Sequence, residues 1–331
     1  MARKQLISVI VPLLVLWFSP EGAITGQEPS FSQLFCNLAY LNPAYAGATG
    51  NREGGLAYRN QWPDMGNAYI TYGAYYNQPV ELIHGGAGLY IVNDRQANGL
   101  FNRMQISGLY SYQLQFRNEL TVNAGLECSW IRRSLNPSSL LLPDMISGNG
   151  TIPSSEVLNS QPHSFPDFSL GFIGSFKSWF GGLSVHHLLA PNEIESPQLN
   201  VKLDRTVNLL VGTNINFSEG SLSQPVIVLS PALYAEYRTG QAELVYGAYF
   251  TRDPIFFGLW IRHFFPQFSN SAASLQAGYQ FSYFRIVYSY DLLLRTGSGI
   301  PRSGIHEVTL SYRMPYKAKR KKIRAIKCPN I

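Results

Sequence analysis

Charge is scarce in this chain of 331 residues: Asp, Glu, Lys and Arg make up 14% of it, against about 25% in an ordinary soluble domain. Such a composition does little to solvate a globular surface. Cysteine is scarcer still. Cys36, Cys128 and Cys328 are the only three, too few for a disulfide scaffold and without the close spacing of a zinc site, so no metal or other cofactor is expected. A Cys36 to Cys328 bridge would join the two ends of the mature chain, but spacing leaves the connectivity open. Past residue 26 no apolar run reaches the roughly 20 residues of a membrane-crossing helix, which excludes a helical membrane protein. Acid is missing from the end of the chain. Residues 317–331, KAKRKKIRAIKCPNI, carry seven Lys or Arg and no Asp or Glu, and the remainder has 19 basic against 20 acidic residues, so the net charge of +6 belongs to this tail alone.

What is present starts with a secretory signal over residues 1–26: the basic MARKQ, the apolar LISVIVPLLVLWF and the small-residue run EGAITG, with cleavage expected after Gly26. No Cys follows the apolar run, which argues against a lipoprotein anchor. Period-two alternation then recurs down the chain. In LTVNAGLECSW, Leu120, Val122, Ala124, Leu126, Cys128 and Trp130 share one face and Thr121, Asn123, Gly125, Glu127 and Ser129 the other. MQISGLYSYQL, FRIVYSYDL and HEVTLSYRM repeat the pattern.

A soluble β-sandwich would alternate in the same way. Three features favour an outer-membrane barrel. The segments run about 10 residues, the length of a tilted membrane strand, where soluble strands run about 5 or 6. Aromatics gather at strand ends, as in AYITYGAYYN and GLWIRHFF. A secretory signal without another anchor fits the destination. Fourteen segments are expected, near 54–62, 67–78, 85–93, 102–114, 118–131, 166–176, 179–188, 203–217, 225–238, 241–251, 255–264, 272–281, 283–293 and 305–315. The fold class read from these is all-β, a transmembrane antiparallel β-barrel of 54–316. It is preceded by an N-terminal plug or periplasmic segment, 27–53, and followed by a basic periplasmic tail, 317–331. Short connections alternate with long ones, the longest being 132–165, 189–202 and 294–304. With short turns periplasmic, this parity places both termini in the periplasm. A nucleic-acid partner, which the basic run alone would imply, is therefore not expected; anionic outer-membrane lipid is.

Between signal and first strand, Phe31, Leu34, Phe35, Leu38 and Leu41 are spaced for one face of a short helix that Pro43 stops. So small a segment must pack inside or beneath the barrel. The run FSQ, then LNPAYAG, YRNQW (Tyr58 to Trp62), GAGLYIVND (Gly86 to Asp94), LPD (Leu142 to Asp144), GGLSVHHLL (Gly181 to Leu189) and HEVTLSY (His306 to Tyr312) resembles, in the same order, the PorP/SprF family. These are outer-membrane proteins of the type IX secretion and gliding systems of Bacteroidota. Cys36 and Ile305 depart from the usual pattern. The resemblance implies an accessory barrel that binds, anchors or helps deliver a secreted, adhesin-like surface protein through its C-terminal sorting domain, and that touches components of the secretion or gliding machinery. The candidate plug and partner-binding residues are Asn42, Pro43, Tyr45, Gly47, Arg59, Gln61 and Trp62, with Lys321, Lys322, Arg324 and Cys328 in the tail.

Arg59 and Gln61 share a strand face, and Arg59 is expected either to pair with a neighbouring acid or to form a socket for LNPAYAG. Enzyme chemistry finds little footing. His186 and His187 are adjacent, so within a strand they face opposite ways and cannot share a metal. No Ser is marked as the nucleophile of a membrane hydrolase. GGAGLY and GGLS open strands with no helix after them, which fits close backbone packing and not phosphate binding. A passive porin or uptake channel is the competing function, and the filling of the lumen separates the two.

Overall fold

The alternating segments pair into a closed wall, with their faces turned inside out relative to a soluble protein. The computed structural model describes residues 28–66, 69–116, 119–136, 161–195, 200–218, 226–265, 271–294, 303–316 and 325–326. The first half of the wall comprises β1 (Asn51–Gln61), β2 (Tyr69–Val80), β3 (Gly85–Gln96), β4 (Phe101–Gln115), β5 (Thr121–Leu135), β6 (His163–Phe176) and β7 (Trp179–His186). Two short strands, β8 (Asn192–Glu195) and β9 (Asn200–Lys202), stand apart as a hairpin. The second half is β10 (Thr206–Thr213), its continuation β11 (Ile215–Ser218), β12 (Ile227–Arg238), β13 (Gln241–Arg252), β14 (Ile255–Phe265), β15 (Ala272–Phe281), β16 (Phe284–Leu293) and β17 (Ile305–Pro315). Each strand lies antiparallel to its neighbours, β10 pairs with both β7 and β12, and β1 pairs with β17. The result is a closed barrel of 14 strands.

Burial decides what alternation alone left open. In β4, Gln105, Ser107, Ser111 and Gln113 are buried, while Met104, Ile106, Tyr110, Tyr112 and Leu114 are exposed. β17 buries Glu307, Thr309 and Ser311 and exposes Val308, Leu310 and Tyr312. A wall whose greasy face is outermost needs lipid around it, and closure leaves no unpaired strand edge to hydrocarbon.

Two differences from the sequence reading have local causes. The segment expected as one strand at 203–217 breaks at Asn214, whose N–H turns to the Ser178 carbonyl and whose Oδ1 accepts from Ser230. The connection expected as a loop at 189–202 holds the β8–β9 hairpin. Arg133 pins it by pairing with Glu193 at 2.5 Å, and Leu203 packs with Ile131 and Phe165. The Leu140 to Leu142 stretch of the longest connection lies outside the described residues.

The two rims differ. Asn51 and Pro315 stand opposite each other at a rim of short turns. The long connections after β5, β7 and β16 leave from the other.

Candidate functional site: a segment seated in the lumen

The hydrophobic core of this molecule lies inside the barrel. Leu34, Phe35, Leu41, Ala44, Tyr45 and Ala46 from the N-terminal segment pack against the inward Tyr90, Tyr249, Phe256 and Trp260. Phe35 sits 5.0 Å from the Trp260 ring and 5.8 Å from that of Tyr249. The segment descends from Glu28 at the long-loop rim and climbs again through a short helix, α1 (Leu38–Leu41). It then passes the turn Pro43–Tyr45 and descends to Asn51.

The expected helix over Phe31 to Leu41 is realised only in its last turn. The wall supplies the partners that a helix would have given to the preceding backbone. Glu307 accepts from the N–H groups of Ser32 and Gln33, Gln276 donates to the Ser32 carbonyl at 2.9 Å, and Arg262 donates to that of Phe31 at 3.0 Å. Tyr75 donates its hydroxyl to the Cys36 carbonyl at 2.8 Å.

LNPAYAG forms the tightest part of the fit. Asn42 Oδ1 caps the following turn by accepting from Ala44 N at 3.0 Å, while its Nδ2 donates to the Phe172 and Leu183 carbonyls at 3.1 Å each. Pro43 supplies the fixed φ that starts this turn. Tyr45 is buried at 2% exposure. The Leu41 carbonyl accepts from Ser184 at 2.7 Å and from His186 Nε2 at 2.9 Å. Ser111 donates to the Ala46 carbonyl at 2.7 Å, and Asn123 to that of Ala44 at 3.3 Å. Gly47, at φ +63°, donates to Asn77, and a Cβ there would fall 2.5 Å from the Gln78 carbonyl oxygen. Gly86 and Gly125 leave the wall flat where Ala46 and Ala44 approach, and a side chain at either would collide with that backbone. Thus Gly86 of GGAGLY admits the lumen segment, while Gly85 and Gly88 pack against neighbouring strands of the wall itself.

Arg59 is buried and pairs with Glu307 at 3.8 Å, donating also to Gln61 Oε1 at 3.0 Å. Through Glu307 it reaches Ser32 and Gln33, and not LNPAYAG as the socket reading had it. Trp62 stays out of the lumen: its backbone is left-handed at φ 57°, its N–H meets the Gly304 carbonyl, and its ring packs edge-on to Tyr69. Lys321, Lys322, Arg324 and Cys328 lie outside the described residues. Of the tail, Ala325 and Ile326 are described, and the Ile326 N–H bonds the Ala48 carbonyl at 2.8 Å.

Sequence reasoning missed a charged box at the long-loop rim. Glu28 receives Arg103 at 3.2 Å, Arg238 at 3.0 Å and His187 Nε2 at 2.7 Å, and His187 Nδ1 meets Asp167 at 2.7 Å. An imidazole with a carboxylate at each nitrogen donates from both, which only the charged form can do. Burial opposes that charge, but Glu28 and Asp167 outweigh it and push the His187 pKa up to about 9. Burial likewise opposes charge on Glu28, and His187, Arg238 and Arg103 still hold its carboxyl well below the usual range. His186 and His187 do not face opposite ways as expected within a strand. β7 ends at His186, and the left-handed His187, at φ 58°, turns its ring back inward.

Both termini were expected at one rim. Among the described residues, Glu28 lies at the long-loop rim and Ile326 at the other, because the N-terminal segment is threaded through the barrel and not tucked beneath it.

A family model described as "Type IX secretion system membrane protein PorP/SprF" matches residues 23–312, almost the whole of the chain beyond the expected signal. The chain belongs to this family. The PorP/SprF assignment and the barrel together place it in the outer membrane. Among solved structures, it is similar to the Pseudomonas putida toluene transporter TodX, with 12% identity over 89% of this chain and 96% of that one at a TM-score of 0.48. A Pseudomonas aeruginosa FadL homologue gives 12% identity over 89% and 96% at 0.43, and CdiB from Acinetobacter baumannii 9% over 80% and 60% at 0.43. No curated protein matches the chain. The fold itself rests on the strand pairing.

Proposed function

We propose that this PorP/SprF barrel is a plugged accessory barrel that binds a secreted, adhesin-like protein through its C-terminal sorting domain and anchors it or helps deliver it at the surface. The observation that supports this over a solute channel is the filled lumen: residues 28–50 pack as a core inside the wall, where a porin keeps water. The long-loop rim, with the β8–β9 hairpin folded down beside the Glu28 box, faces outward and receives the partner. The short-turn rim faces the periplasm and meets secretion or gliding components. The basic sequence of the tail, which includes Lys321, Lys322 and Arg324, favours anionic headgroups by about 1 kcal/mol for each basic residue close to a membrane surface.

Affinity purification from native outer membranes tests the reading. The intact barrel should bring down a secreted protein with such a sorting domain together with machinery components, and the chain lacking 317–331 should insert but lose the machinery. Recovery of the intact barrel with neither class of partner would overturn it.

A further inference from the structure

The lumen segment leaves a cavity of about 490 Å³ at the short-turn rim. It is a blind socket: Phe35, Leu38 and Ala39 close its inner end, and strands from both halves of the wall surround it. Arg285 reaches it from β16 and is 6% exposed. Its strand partner Ser311 lies four residues from Pro315 at the rim, about 13 Å of strand. The Arg285 guanidinium donates from Nε to Ser311 at 3.2 Å, and its Nη1 is buried with no partner among the described residues. The neighbouring acids are engaged or distant. Glu53 pairs with Arg313 at 2.5 Å, and Glu307, four residues deeper along β17, holds Ser32, Gln33 and Arg59. Asp253 is exposed at the turn between β13 and β14. Two other residues lining the socket, Thr49 and Asn37, also carry side-chain oxygens that are buried and unpartnered among the described residues. A buried cation with a donor left over is costly until an anion meets it.

We propose that this socket binds the C-terminal end of an extended peptide, with the terminal carboxylate on Arg285. A carboxylate accepts charge-assisted hydrogen bonds from a guanidinium. The Thr49 hydroxyl adds a donor, and the Asn37 side-chain oxygen an acceptor for a peptide N–H. A blind socket suits a chain end, because a segment from mid-chain would have to turn and leave through the mouth it entered. Phe35, Leu38 and Val228 offer apolar surface to the last side chains. Apolar lining with a few polar groups that fix orientation is the usual make-up of a ligand site of this size. That the peptide belongs to a secretion or gliding component rests on the reading of this rim as periplasmic; the carboxylate site itself does not.

Isothermal titration of the full-length barrel in detergent tests the proposal. The probes are an acetylated four-residue peptide of alternating alanine and leucine with a free terminal carboxylate, and the same peptide amidated. The acid should bind at one site and the amide about tenfold more weakly or worse. Arg285→Gln should erase the difference between the two while the barrel stays folded by circular dichroism. Thr251→Trp, which narrows the socket from β13 with Arg285 in place, should weaken both probes alike. Equal binding of acid and amide, no binding of either, or acid binding indifferent to both substitutions would overturn the assignment. Binding that appears only once residues 327–331 are removed would give the socket to this chain's own end and overturn it equally. If the acid peptide binds as expected while affinity purification recovers no machinery component, the functional reading fails and the carboxylate site stands.

Discussion

The Glu28 carboxylate meets the His187 imidazole at 2.7 Å, at the rim opposite the one where Asn51 enters the wall. A segment held at both rims is a structural part of the barrel, and its upper clasp is electrostatic. Glu28→Gln leaves Arg103, His187 and Arg238 around a neutral amide. Removing one partner of a buried ion pair costs about 3–5 kcal/mol. Hydrogen exchange in peptides covering 28–34 should accelerate by a factor of 100 or more while the strands stay protected; unchanged exchange would mean the box does not hold the segment.

The clasp should also respond to pH from both sides. His187 has its pKa raised to about 9 in the folded barrel. Its contribution is complete below about 6.5, the value of a free imidazole, and is lost as pH rises through 9. Glu28 has a lowered pKa, so its contribution is present above the ordinary carboxylate range and lost as pH falls through its depressed value. Protease resistance of residues 28–34 should therefore plateau near neutrality and decline at pH 10. His187→Gln should remove the alkaline decline, and a wild-type curve flat from pH 6 to 10 would contradict the assignment.

Arg59→Ala tests a more local link. Arg59 acts on the segment through Glu307, whose oxygens hold the Ser32 and Gln33 N–H groups. New cleavage should appear near Ser32, with Pro43 to Gly47 still protected. Cleavage confined to Pro43–Gly47 would restore the direct socket that the geometry argues against.

Gly125→Val should disturb the segment by steric means alone, because its Cβ would collide with the Ala44 backbone. Overpacking costs about 1–3 kcal/mol when neighbours can shift, and backbone threaded through a closed barrel has little room to do so. Gly108→Val, with nothing within 4 Å of its Cβ, is the matched control. Thermal unfolding should fall for the first and stay level for the second; equal melting would show that the collar is loose.

The wall was legible in the sequence because period two is the signature of a strand in any sheet, and Ser107, Ser111 and Gln113 against Ile106, Tyr110 and Tyr112 displayed it plainly. Alternation does not say which face looks inward. Burial settled that, since Glu307 and Asp291 are enclosed at 1% exposure while Leu310 is open at 42%. The lumen segment was legible as an amphipathic stretch too small to stand alone, and its path was not. Helical spacing from Phe31 to Leu41 loses to the side chains of Glu307, Gln276 and Arg262, which bind the same backbone groups. The Glu28 box was invisible for a different reason. Its members come from strands far apart in sequence, with Arg103 75 residues and Arg238 210 residues from Glu28, and only barrel closure brings them together. His187 was misread because a strand-based face rule was applied one residue past the end of the strand.

The central claim is that residues 28–50 close the lumen. It is tested most directly by the conductance of the purified full-length protein in a planar bilayer, compared with Gly125→Val and with the mature chain lacking 28–50. The intact barrel should show no steady pore, Gly125→Val intermittent openings, and the truncated barrel large, lasting ones. Large steady conductance from the intact protein, equal to that of the truncated barrel, would contradict the account.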